Sequence, residues 1–132
     1  MDGKGYSSAS LCRIVAMRII ISGYKPESED WTHGSNKQIA LAAERAGFDF
    51  LFPVSRWRGF GGKIDYMGRS QETMTWAAAL LAQTKKVRIF STVHVPVFHP
   101  LVVAKMGATI DHISGGPWGS ILSVDGMPMI SM

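Results

Sequence analysis

Ser55, Arg56, Thr92 and His94 are the residues of this 132-residue chain whose types and placement suit chemistry. Ser55 and Arg56 directly follow the apolar run FDFLFPV (48–54), and Thr92 and His94 lie near the end of the β-branched run VRIFSTVHV (87–95). Side chains at the ends of buried strands are held by a rigid scaffold yet open to a ligand, so two hydroxyls, a guanidinium and an imidazole placed there suit polar contacts to a bound small molecule. His94 has a second reading, a histidine hydrogen-bonded inside a barrel or against a loop, and both stay open. Other clusters carry less. His94 and His99 are five residues apart across Pro96, without the i, i+4 helical spacing or an accompanying carboxylate or thiol that a metal site would use. GFGG (59–62) is not a dinucleotide fingerprint, because the third glycine would fall at Ile64 and no helix opens there. Asp111 and His112 read as an exposed pair near a helix end, and Trp31, Trp57, Trp76 and Trp118 as core or loop anchors.

The elements that must position these residues follow from periodicity. SNKQIALAAERAG (35–47) predicts a helix, with Ser35 and Gln38 as a capping box and Gly47 as its stop. The run 48–54 predicts a strand buried on both faces. Residues 55–69 mix glycine, arginine and aromatics without a period and predict a surface loop. Ser70 is expected to cap a second helix over about 71–84, with Lys85 and Lys86 at its C-terminal dipole. Residues 87–95 predict a strand closed by Pro96, and Pro100 is placed as the first residue of a third helix that stops at Ser114-Gly115-Gly116. IVAMRIIIS (14–22) is the remaining strand candidate. Strand and helix therefore alternate three times, the signature of parallel βαβ units in a doubly wound sheet or part of a barrel. Both arrangements put the carboxyl ends of the strands, and any site, on one side.

Composition excludes several classes. One domain or part of one fits this length, and 46% hydrophobic residues are too many for a disordered chain. A single cysteine, Cys12, excludes a disulfide framework and a cysteine-based zinc site, leaving a reducing cytoplasm as the expected compartment. The formal charge of +4 is scattered, and neither Lys85, Lys86 and Arg88 nor Arg56 and Arg58 make the basic run of a nucleic-acid patch. LCRIVAMRIII (11–21) is interrupted by Arg13 and Arg18, and WAAALLA (76–82) falls far short of the roughly 20 apolar residues a bilayer needs. Neither nucleic acid nor a membrane is therefore an expected partner.

Several ordered blocks between residues 36 and 119 carry a resemblance. NKQIALAAERAGFDF, SRWRGFGGK, ETMTWAAALLA, VRIFSTVHVPVFHP and VAKMGATIDHISGGPWG together resemble the bacterial luciferase-like, flavin-dependent monooxygenases. RGFGGK and ATIDHISGG are most similar to the branch of pyrimidine-ring-opening and sulfone or alkanesulfonate monooxygenases. The resemblance implies an α/β fold, part of a TIM (β/α)8 barrel. A full barrel takes about 250 residues and eight βα units, and this chain holds three units and the start of a fourth strand. It further implies reduced flavin mononucleotide (FMN) delivered by a partner flavin reductase, molecular oxygen as co-substrate and a small organic substrate. Carried over by matching positions, Ser55 and Arg56 are expected to contact the flavin, Thr92 to line the flavin pocket, and His94 to take a catalytic place there.

The resemblance stops at Gly119. Residues 1–35 match poorly, and SILSVDGMPMISM (120–132) replaces the family's fourth strand. Codons permitted for Ser120 to Met132, read two bases later, spell NIVCGWNADDFD, a family-like strand and loop. The expectation is that residues 120–132 are out-of-frame translation. Two functions are thus expected: a fragment of a two-component monooxygenase, or a catalytically inactive truncated product or interaction fragment whose unfinished barrel edge associates with further copies.

Overall fold

A computed structural model describes residues 12–13, 31–55, 57, 61 and 68–124. Among them the chain alternates strand and helix: β1 (Cys12–Arg13), α1 (His33–Arg45), β2 (Phe50–Phe52), α2 (Thr73–Leu81), β3 (Arg88–His94), α3 (Pro100–Ser114) and β4 (Trp118–Ser123). The strands form one sheet in the order β1-β2-β3-β4, every pair parallel. Sequential parallel strands joined by helices are an arc of a (β/α) barrel, the architecture expected from the sequence. Residues 14–22, the expected first strand, lie outside the described residues, as do 125–132.

Helix starts differ from expectation for a local reason. The Thr32 side chain accepts from the Ser35 amide at 3.3 Å, so α1 begins at His33, ahead of the expected Ser35 cap. Glu72, instead of Ser70, caps α2, its two carboxylate oxygens each 2.8 Å from the amides of Met74 and Thr75. A carboxylate at a helix start also meets the positive end of the dipole, which a serine does not neutralise. Pro100 and Gly115 behave as expected: the proline occupies the first turn of α3, and Gly115 ends it with φ of 72°.

Alternation along β3 divides the sheet into two faces. Ile89, Ser91 and Val93 are buried beneath the helices, with Leu51 of β2 and Met74, Ala77 and Leu80 of α2. Phe90, Thr92 and His94 point to the opposite face, the lumen side of a barrel. On that face Phe50 and Phe90 meet edge to face, their centroids 5.7 Å apart. Strand β2 is half-buried at Phe50 and Phe52 and not buried on both faces, because the described strands form an arc and do not enclose the lumen. Strand β4 runs through the Gly119–Ser120 boundary and pairs with β3 as far as His94↔Ser123. Leu122 is on its helix side, yet 65% exposed.

Two close approaches and one carboxylate fix the layers. A Cβ at Gly107 of α3 would lie 2.6 Å from Trp118, so only glycine lets α3 settle onto β4 here. Gly119 likewise makes room for the Phe90 ring. Just before β3, one oxygen of Glu44 accepts from the amides of Lys85, Lys86 and Val87, at 2.7, 2.9 and 3.3 Å. These amides, that of Lys86 foremost, hold the Glu44 carboxyl below its ordinary pKa.

Two outcomes are expected. Gly107→Ala should destabilise the chain by about 1–3 kcal/mol, since Trp118 cannot yield without giving up its bond to Ser91; denaturant unfolding with an unchanged midpoint would refute the tight crossing. Because the folded-state pKa of Glu44 is depressed, its contribution is present above the ordinary carboxylate range and is lost as pH falls through the folded value. Wild-type melting temperature should therefore fall more steeply below about pH 4.5 than that of Glu44→Ala, with parallel profiles as the contrary result.

Candidate functional site

The carboxyl ends of β2 and β3 bring three of the four sequence-predicted residues together. The His94 side chain, only 5% exposed, hydrogen-bonds through Nε2 to Ser55 Oγ at 2.9 Å, across 39 residues of chain. Thr92 Oγ1 donates to the Pro53 carbonyl at 3.2 Å. Both bonds cross from β3 to the segment leaving β2, so they tie the two loops at the face where a ligand would enter. His94 is thus a satisfied, buried group, hydrogen-bonded to the segment leaving β2 and forming a polar pair with Ser55 on the lumen side. Arg56 lies outside the described residues.

Their positions are set from behind by a second layer. Thr73, the first residue of α2, donates through Oγ1 to the Thr92 carbonyl at 2.6 Å and accepts from Ser91 Oγ at 3.1 Å through its own carbonyl. Ser91 in turn accepts from Trp118 Nε1 at 3.0 Å. Backbone and side chains from α2, β3 and β4 therefore converge on the stretch carrying Thr92 and His94. Thr73 was not legible as a site residue, although a threonine opening the helix that packs on β3 was a usable signal. A further pair also went unmarked: Trp57 and Phe98, on the loops after β2 and β3, approach with ring centroids 5.9 Å apart.

The arrangement has a definite hydrogen-bonding polarity. The Thr92 hydroxyl proton is committed to Pro53, leaving its lone pairs to accept from a donor on a ligand. Ser55 and His94 share one proton position between them, and which of them donates depends on the imidazole tautomer. The pair can thus present either a donor or an acceptor to a neighbour. No group of three or more histidine, cysteine, aspartate or glutamate side chains converges as a metal site among the described residues. No described helix is long and apolar enough to cross a membrane.

Thr73→Val keeps the shape and removes the bond to the Thr92 carbonyl. It should cost about 1–2 kcal/mol and shift the backbone resonances of Thr92 and Val93 while leaving those of α1 in place. An unchanged Thr92 amide would show that Thr73 does not hold the strand end.

The chain is similar to several known proteins. The chain is 43% identical over 96 residues to the pyrimidine monooxygenase RutA of Variovorax paradoxus, covering 73% of this chain and 25% of that protein. RutA of Acinetobacter baylyi is 44% identical over 84 residues, 64% of this chain and 23% of the relative. Among solved structures, a riboflavin lyase (RcaE) crystallised with modified FMN and riboflavin superposes with a TM-score of 0.64 at 27% identity, over 76% of this chain and 24% of that one. The EDTA monooxygenase EmoA of Chelativorans sp. BNC1 shares the fold, with a TM-score of 0.64 at 19% identity, over 83% of this chain and 29% of its own. The chain spans about a quarter of the length of the curated relatives it matches. Residues 22–117 match the family described as luciferase-like monooxygenase, and this chain belongs to that family.

Proposed function

We propose that this chain is a fragment of a two-component, reduced-flavin-dependent monooxygenase, acting in the cytoplasm on a small organic ring compound of the pyrimidine class. The observation that carries the proposal is the pair of cross-loop bonds, Ser55 to His94 and Thr92 to Pro53, at the carboxyl ends of neighbouring parallel strands. Ligands of barrel enzymes bind at that end. The pyrimidine class rests on the named activity of the relatives at 41–44% identity.

The described residues fit a flavin ring. Its polar edge carries both N–H donors and carbonyl acceptors. Thr92 offers lone pairs to the former, and Ser55 with His94 can offer a hydroxyl or N–H to the latter. When bound, FMN reduced by a partner reductase supplies the activation of molecular oxygen needed to oxygenate the substrate. The protein's part is to bind, orient and keep dry. Thr92, held from behind by Thr73, fixes the ring edge in one direction. His94 and Ser55 can relay a proton, Nε2 exchanging one with Ser55 Oγ as Oγ exchanges its own with a bound ligand, and burial of His94 keeps the imidazole end of the relay away from bulk water. Phe50 and Phe90, deeper on the same face, exclude water beneath the polar pair. Arg56, the residue after Ser55, is proposed to add a charge-assisted contact.

Fluorescence titration with FMN tests the reading. Four strands enclose a flavin ring on one side only, so binding by the 132-residue chain is expected only at roughly 100 µM or above. Thr92→Val and Arg56→Ala should each weaken it about fivefold or more, the loss of one hydrogen bond. Micromolar binding, or variants with unchanged affinity, would place the flavin elsewhere.

A further inference from the structure

Two contacts bridge the loops after β2 and β3, and they differ in chemistry. Ser55 to His94 is the polar one. Trp57, two residues beyond Ser55, and Phe98, four beyond His94, form the aromatic one at 5.9 Å with an interplanar angle of 50°. Phe98 is half-buried and packs against the hydrophobic core, so its ring is anchored. Trp57 is different: 53% of it faces solvent. A half-exposed tryptophan leaning on an anchored phenylalanine, two residues beyond the half-buried Ser55 that bonds buried His94, leaves π surface open to solvent on the loop that carries the hydrogen-bonding pair. Solitary surface aromatics need no explanation, but this one is held at a tilt against Phe98 and follows Ser55 by two residues.

We propose that Trp57, supported by Phe98, is a specificity-determining residue that stacks on a planar, conjugated heterocycle held at the Ser55–His94 side of the site. The proposal rests on the flavin-site reading and adds to it a selection for ring planarity. Stacking recognises a flat π-system and discriminates against a puckered ring with the same hydrogen-bonding groups. Uracil and 5,6-dihydrouracil form such a pair, sharing the N–H and carbonyl groups of the pyrimidine edge while only the former is flat. An aromatic contact of this kind is worth about a three- to tenfold preference for the flat ring.

Proton–nitrogen correlation spectra of the 132-residue chain test this, with the Trp57 indole resonance assigned from Trp57→Phe. Uracil is expected to move that resonance, and to bind three- to tenfold more tightly than dihydrouracil. Trp57→Ala, at an exposed position that the fold does not need, should bring the two within twofold of each other, and Trp57→Phe should restore most of the preference. A Trp57 resonance unmoved by uracil, equal affinities in the wild type, or a preference that survives Trp57→Ala would each overturn the proposal. A parallel titration with FMN separates the two ideas. If Thr92 and His94 respond to FMN while Trp57 ignores uracil, the flavin site stands and the stacking role falls. If Trp57 selects uracil while Thr92 and His94 ignore FMN, the planarity selection stands and the flavin reading falls.

Discussion

A hydroxyl buried at the start of α2 has no water to turn to, and Thr73 resolves this by donating to the Thr92 carbonyl at 2.6 Å while its own carbonyl accepts from Ser91. An unpaired polar group at that depth would cost about 1–3 kcal/mol, so helix, strand and the neighbouring Trp118 indole are locked in one mutual arrangement. The consequences reach the lumen face. Because the Thr92 backbone is fixed from the helix side, its side chain is presented on the other side with its proton already committed to Pro53. His94, two residues on, meets Ser55 at a defined height above the Phe50–Phe90 floor. The placement of Thr92 and His94 is thus a by-product of how α2 is stitched to β3.

The same stitching shows where the sheet's two faces differ. On the helix side, Leu51, Ile89, Val87, Met74 and Leu80 are fully buried, and Gly107 lets α3 approach β4 closely. On β4 that burial fades: Ile121 and Leu122 are exposed although they continue the alternation set by Trp118 and Gly119. A parallel strand normally reads as apolar because helices cover one face and the barrel lumen the other. Strand β4 has the hydrogen bonds of such a strand without that cover among the described residues.

Much of this was legible in the sequence because the signals were local. Pro100 and Gly115 delimit α3 by their own backbone preferences, and β3 announces itself through its β-branched run. Ser55, Thr92 and His94 were legible as a group because parallel strands put all their carboxyl ends on one side. Cap identities were harder, since Thr32 and Glu72 compete with Ser35 and Ser70 over a few residues, and the winner depends on packing. The Glu44 clamp on the Lys85–Val87 amides joins elements 41 to 43 residues apart and leaves no mark in either segment. The Trp57–Phe98 pair was missed for the same reason: each lies in a loop without a period, and only the fold makes them neighbours.

The central claim is that the lumen side of the β2 and β3 carboxyl ends is where a flavin ring rests. Intermolecular nuclear Overhauser effects between FMN and the methyl-labelled, histidine-labelled chain test it most directly. The account predicts contacts from the flavin ring protons to the Thr92 methyl and the His94 imidazole. Contacts confined to the outer surface of α3, such as exposed Leu101 and Val102, with none to Thr92 or His94, would contradict it.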